Sequence, residues 1–441
     1  MLIMSTSRVN TLIRARAYVR GSVKEVYIGI TGSEIAYVGN EPVETENRVE
    51  LPSQYIVLPG LVDIHVHFRD FDLSYKEDAV SGSQAALAGG YVAVGDMPNT
   101  KPPIKTVELL RRKIEEFNRK TGMHIRHYFG APQELSVLKE ALDNGAYAIG
   151  EVLPEEVAEY GGDQYLEALF KEAARVGIPI IMHCEDSLII NQYSGPRDFE
   201  HHNVIRNPRA ELACIHNVIR LVYRYGTKTH ITHLTLPQSI GIIKSSGLDI
   251  TFDVTPHHML LSQEECLARA EKPAYCKVNP PLRDEPTRRE LLAMFVRGEI
   301  PIVASDHAPH ADWEKDKPYD EAPPGIVGLE TTAPLLLTLW RRGFTDLGTV
   351  MRAIQERPAK FLGLNIGIRQ GSCADLAIIN TKARHRIEPE KFRSRAKFSP
   401  FKGFEVDIAV VATILHGKLT YLNEEYMNNT VMKTLENALP H

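Results

Sequence analysis

A chain of 441 residues with 43% apolar content can bury a large core, and a formal charge of −5 gives no basic excess for a nucleic-acid surface. No stretch approaches the roughly 18 apolar residues of a membrane span, and the first residues lack the apolar core of a secretory leader, so a cytoplasmic protein is expected. The five cysteines, Cys184, Cys214, Cys266, Cys276 and Cys373, have no paired spacing and form no CxxC, which fits a reducing compartment.

The first fifty-odd residues alternate apolar and polar positions in short runs broken by glycine, as in 23–29 and 35–39, and read as small antiparallel strands. From Ile56 onward the texture changes to compact apolar runs at 56–68, 91–97, 125–131, 146–153, 178–183, 229–233, 250–254 and 300–305. Helix-like segments at 81–88, 107–118, 164–176, 209–225 and 288–297 separate them. The basic runs Arg111-Arg112-Lys113 and Arg288-Arg289 read as solvated helix faces. Eight strand-helix units predict an α/β protein built on a (β/α)8 TIM-type barrel, because an open doubly wound sheet seldom uses so many. After about residue 365 short strands return at 375–379 and 407–415, with turns at Gly371 and Gly417. The expected division is a barrel over 56–364 and a small β-sandwich domain formed from 1–55 and 365–441.

In such a barrel the reacting groups gather where strands end at the C-terminal face. His65 and His67, two apart on one strand, point to the same side and can face one metal. His183 ends the fifth run, His233 the sixth and Asp306 the eighth. Four histidines and an aspartate at separate strand ends make a nitrogen and carboxylate donor set that favours zinc. His230, His257 and His258 read instead as hydrogen-bonded strand-end residues, and Cys184, beside His183 but pointing away from it on a strand, reads as packing.

The segment Gly60-Leu61-Val62-Asp63-Ile64-His65-Val66-His67-Phe68-Arg69-Asp70 resembles the first metal motif of the dihydroorotases, a family within the amidohydrolase superfamily. The similarity continues through Met97-Pro98-Asn99-Thr100, His183-Cys184-Glu185-Asp186, Ile231-Thr232-His233, Val278-Asn279-Pro280-Pro281-Leu282-Arg283 and Ser305-Asp306-His307-Ala308-Pro309-His310. Gly325-Ile326-Val327-Gly328-Leu329-Glu330 and Ser399-Pro400-Phe401-Lys402-Gly403 extend it over nearly the whole chain. The resemblance implies metal ligation by His65, His67, His183, His233 and Asp306, and substrate binding by Arg69, Asn99, Asn279 and His310. It further implies reversible hydrolysis of dihydroorotate to N-carbamoyl-aspartate, a step of pyrimidine synthesis. The metal would bring the pKa of a water towards neutrality, and Asp306 would accept the proton of the attacking water and return it to the leaving ring nitrogen. Arg69 would grip the substrate carboxylate through two parallel charge-assisted hydrogen bonds, a feature that separates this reading from a dihydropyrimidinase, hydantoinase or allantoinase. A different class of reading, a silent paralogue serving as structural partner of a carbamoyltransferase, conflicts with the complete ligand set.

The chain departs from the family pattern in two places. Many such enzymes bridge two metals with a carboxylated lysine on the fourth strand, but no lysine lies between Lys139 and Lys171. Glu151, ending the fourth run, is the expected substitute carboxylate, with Asp163 a weaker candidate. Because its side chain is shorter, either the strand end shifts inward or the site holds its metals differently, which leaves two zincs or one. Phe71-Asp72 follow the Arg-Asp pair where proline and glycine are usual, and Asp72 with Glu77 adds negative charge beside the clamp. The long loop 308–328 has the length of a lid, and a homodimer through barrel helices is compatible with the architecture.

Overall fold

The computed structural model describes residues 8–440. Residues 1–7, on which the expectation of no leader partly rests, and His441 lie outside the described residues. Eight parallel strands follow in order: Leu61–Val66, Tyr91–Asp96, His124–His127, Ile149–Val152, Ile180–His183, Thr229–Thr232, Ile250–Val254 and Ile302–Val303. The first three bond as one sheet and the last five as another. Single parallel bridges, Phe129 to Ile149 and Val66 to His307, join the two and close the ring. The eight expected runs therefore form the barrel, with one difference at the start. The run 56–68 splits, and its first part, Tyr55–Pro59, pairs with Leu376–Asn380 in the terminal sheet. Both halves are fully buried, so apolar content alone does not reveal the change of sheet. Gly60 is the joint, where a Cβ would lie 2.5 Å from the Val92 side chain.

The expected helices form as Ala79–Ala88, Val107–Lys120, Asp163–Val176, Pro208–Tyr225 and Glu285–Val296. Four of these starts are set by side-chain caps, Asp78, Thr106, Asn207 and Asp284, each accepting a first-turn amide. The reading of 111–113 as a solvated face fails at Lys113. That side chain is fully buried, its Nζ 2.6 Å from Asp96 Oδ2 and 3.1 Å from the Met97 carbonyl. Helical spacing turns Lys113 inward with Leu110 and Phe117, a direction that a run of like charges conceals. Asp96 Oδ1 in turn accepts the Phe68 amide, between His67 and Arg69. Lys113→Met is expected to strand the Asp96 carboxylate and lower stability by about 3–5 kcal/mol, measurable by urea denaturation; a loss below about 1 kcal/mol would contradict the pairing.

The terminal segments combine into one eight-stranded sheet in which Val9–Val19 pairs with Ser22–Thr31, Thr45–Glu50 and Tyr55–Pro59. Glu34–Gly39, beside Ser22–Thr31, and the C-terminal strands Leu376–Asn380, Ala409–Leu415 and Lys418–Leu422 complete it. Ile13, Val49, Val57, Ile378 and Val411 share one apolar cluster with Leu435 of the closing helix Asn429–Ala438. Asn428 caps that helix, which short-strand patterning after residue 365 does not anticipate.

The cysteines depart from expectation. Cys184 bonds Cys214 and Cys266 bonds Cys276, with Cα separations of 5.3 and 6.0 Å, and Cys373 stays free. Cys184 is thus cross-linked rather than merely packed, because Pro208–Tyr225 brings Cys214 against the end of the fifth strand. Pairing depends on which elements become neighbours, and spacing along the chain does not encode it. Four of the five cysteines are thus paired, where unpaired thiols are expected from the spacing. No helix among the described residues is long and apolar enough to cross a membrane.

Candidate metal centre

The C-terminal ends of the barrel strands converge on one group of imidazoles and carboxylates. His65 Nε2 lies 3.2 Å from His67 Nε2, 3.4 Å from Asp306 Oδ1 and 3.5 Å from Glu151 Oε2. His67 Nε2 is 3.0 Å from the same Asp306 oxygen. Glu151 Oε1 stands 2.6 Å from His233 Nε2 and 2.9 Å from His183 Nδ1. Two donor sets with metal-compatible spacing result, His65 with His67 and Asp306, and His65 with Glu151 and His233. His183 adjoins the second through Glu151, while its Nε2 meets Glu185 Oε2 at 2.6 Å. Asp163 is elsewhere, at a helix start beside Asn217.

Local backbone explains how a short glutamate reaches the centre. Between Ile149–Val152 and Ile180–His183 the register slips, Ile180 facing Ile149 but Met182 facing Val152, so the fourth strand carries an extra residue. Such a bulge re-aims the side chain next to it. Gly150, at φ +125°, makes room, since a Cβ there would fall 2.3 Å from the Ile181 carbonyl. The Glu151 carboxylate thereby meets the imidazoles of His183 and His233.

His233 and Asp306 hold left-handed backbone at φ 41° and 46°, and Arg69, Asp70 and Phe71 do so consecutively at 58°, 65° and 49°. Strain of this kind persists only where surrounding bonds enforce it. Buried carboxylates supply those bonds. Asp253 Oδ1 accepts the His233 amide, and Asp253 Oδ2 accepts from the Thr232 hydroxyl, whose oxygen is 2.5 Å from His65 Nδ1. Asp63 accepts the amides of His65 and Ser305, linking the first and eighth strands. Of the bystander histidines, His230 bonds Thr251 and Asp253, and His258 bonds Thr255 and the Pro280 carbonyl. Sequence reasoning left these carboxylates unassigned, although Asp63 and Asp253 sit two residues from histidines or on adjacent strand ends.

Burial disfavours charge and holds the His67 imidazole below its ordinary value, whereas pairing prevails at His65 and His183. Asp306 and Glu151 outweigh desolvation and lift His65 to about 9; Glu151 and Glu185 lift His183 to about 10. The Glu151 and Asp306 carboxyls are held well below their ordinary range by the imidazoles around them. Protons on histidine therefore balance the buried carboxylates, and a divalent cation would take over that balance. Converging imidazole nitrogens 3.2 Å apart, both facing one carboxylate oxygen, fit such an ion.

A cavity of about 340 Å³ opens over the cluster, lined by His67, Arg69, Asn99, Glu151, Asn279, Asp306 and His310 among others. The four expected substrate residues thus share one chamber with the donor cluster. Arg69 is buried and donates to His310 Nε2 at 3.2 Å and to the Pro309 carbonyl at 3.3 Å. Desolvation lowers its guanidinium to about 10, leaving it charged near neutrality, while burial drops His310 to about 3 and keeps it neutral. Asn99 Oδ1 is 2.8 Å from His67 Nδ1. Asn279 Oδ1 is shielded from solvent and has no hydrogen-bond partner. Arg206, Glu155 and Leu153 also line the chamber and were missed; Arg206 pairs with Glu185 and Glu155. Only Glu185, inside the His183 motif, carried a signal. Asp72 and Glu77 do not face the chamber, and Glu77 is fully buried against Ser81 and Ser394. The loop 308–328 contributes Ala308, His310, Pro324 and Gly325 to the chamber wall, and it is pinned by buried Lys315, which donates to the carbonyls of Ala274 and Pro323.

Residues 56–420 match the amidohydrolase family model. The dihydroorotase of Pyrobaculum aerophilum is 36% identical over 95% of this chain and 98% of its own. That of Methanothermobacter thermautotrophicus is 32% identical, covering 91% and 92%. Among solved structures, the L-hydantoinase of Arthrobacter aurescens superposes with a TM-score of 0.86 at 24% identity, covering 95% of this chain and 98% of that one, a likeness of fold. The chain belongs to the amidohydrolase family, and within it to the dihydroorotases.

Proposed function

We propose that the chain interconverts dihydroorotate and N-carbamoyl-aspartate at a centre of two zinc ions held by His65, His67, Glu151, His183, His233 and Asp306. The observation that carries the reading is the buried Arg69 guanidinium in the same chamber as the donor cluster. Dihydroorotate differs from an uncharged cyclic amide by its carboxylate, and a desolvated arginine flanked by His310 and Asn99 is suited to bind one. Asn279 Oδ1, lacking a partner, can accept a ring N–H. One Glu151 oxygen faces His65 and the other faces His183 and His233, so this carboxylate would help to hold the metal between them. When bound, the metal supplies Lewis acidity and an ionised water at neutral pH. Asp306, ionised and directed into the chamber, accepts the proton of the attacking water and delivers it to the departing ring nitrogen. Asn99 orients His67 through its Nδ1. A cytoplasmic setting suits a pyrimidine-synthetic step, with Cys184–Cys214 and Cys266–Cys276 as protected, buried disulfides.

Turnover of dihydroorotate against an uncharged cyclic amide such as hydantoin tests the substrate. Strong preference for dihydroorotate is expected, and preference for hydantoin would refute the carboxylate clamp. Arg69→Lys should raise KM for dihydroorotate by about 10²–10³, as loss of a fork-shaped charged contact costs a few kcal/mol, with a much smaller effect on metal content.

A further inference from the structure

A second cluster of metal-type donors lies outside the catalytic chamber, where the terminal sheet meets the barrel. His124 begins the third barrel strand, Cys373 and Asp375 lead into Leu376–Asn380, and His416 occupies the turn between Ala409–Leu415 and Lys418–Leu422. One donor atom from each lies within 4.8 Å of all the others. His124 Nε2 is 2.8 Å from Asp375 Oδ2, and Cys373 Sγ is 3.1 Å from His416 Nδ1. His416 donates its Nε2–H to the Gly122 carbonyl at 3.0 Å, which leaves the Nδ1 lone pair directed into the cluster. Its backbone amide donates to Asp375 Oδ1 at 2.7 Å, and its φ of 52° is held by a turn so close that a Cβ on Gly417 would meet the Gly32 carbonyl.

We propose that His124, Cys373, Asp375 and His416 form a separate structural site for one zinc-class divalent ion, fastening the terminal sheet to the barrel. Two imidazoles, a thiolate and a carboxylate complete a tetrahedral shell with no open position, which is the pattern of a structural rather than a hydrolytic site. A tetrahedral shell at about 2.0–2.3 Å keeps donors within about 3.8 Å of one another, so no pair needs to close by more than about 1 Å on binding. The partial exposure of His124 and His416, 28% and 38%, gives the ion a path in.

Sulfur separates this site from the catalytic one. The catalytic donors include no cysteine, and Cys373 is the free thiol among the described residues. The full-length protein, stripped with chelator and reloaded with cobalt(II), is expected to absorb in the near ultraviolet through thiolate-to-cobalt charge transfer. Cys373→Ser should abolish that band, lose one zinc per chain on native purification, lower Tm and leave dihydroorotate turnover unchanged. His124→Gln provides the same test without touching the thiol and should weaken the band. A wild-type spectrum without the band at saturating cobalt overturns the proposal, as does equal zinc content in wild type and Cys373→Ser.

Discussion

Glu151→Ala is expected to lose metal and at least about three orders of magnitude in kcat/KM. The variant removes a carboxylate whose two oxygens contact His65, His183 and His233, the bond on which three barrel strands converge. Metal-assisted stabilisation is worth several kcal/mol, and about 1.36 kcal/mol is a factor of ten, which sets the magnitude. Metal analysis of identically purified wild type and variant, alongside dihydroorotate turnover, provides the check. A variant that keeps its full metal complement and most of its activity would remove Glu151 from the centre.

Asp306→Asn is expected to lower kcat by about 10²–10⁴ while changing KM little, because the amide preserves shape but cannot take a proton. Its left-handed backbone is already fixed by the chain on either side, with Ser305 bonded to Asp63 and His307 bonded to the Ser305 hydroxyl, so the fold should tolerate the change. Full-time-course kinetics at saturating substrate distinguish this from a binding defect. A rise in KM with kcat intact would make Asp306 a substrate-binding group instead of the proton carrier.

These two residues were visible in the sequence to different degrees. Asp306 ends an apolar run beside a family motif, so position and chemistry coincided. Glu151 was legible as a carboxylate at the fourth strand end, but its reach was not, since that depends on the bulge at Gly150 and on the Ile181 carbonyl beside it. Lys113 was misread because a charge run shows no direction, and its partner Asp96 lies outside the helix, at the end of the strand before it. The disulfide pairs were hidden for a related reason: their sulfurs meet only after helices and loops pack.

The sequence by itself determined the eight alternating units, the caps that start most helices and the histidine and aspartate donors at strand ends. Those features follow from periodicity and side-chain chemistry within a few neighbouring residues. Tertiary structure alone decided which sheet received Tyr55–Pro59, how Glu151 entered the chamber, where Lys113 and the cysteines found partners, and that His124 meets Cys373, Asp375 and His416. Each of these joins residues far apart in the chain, and ring closure with packing fixes such contacts where local pattern carries no information about them.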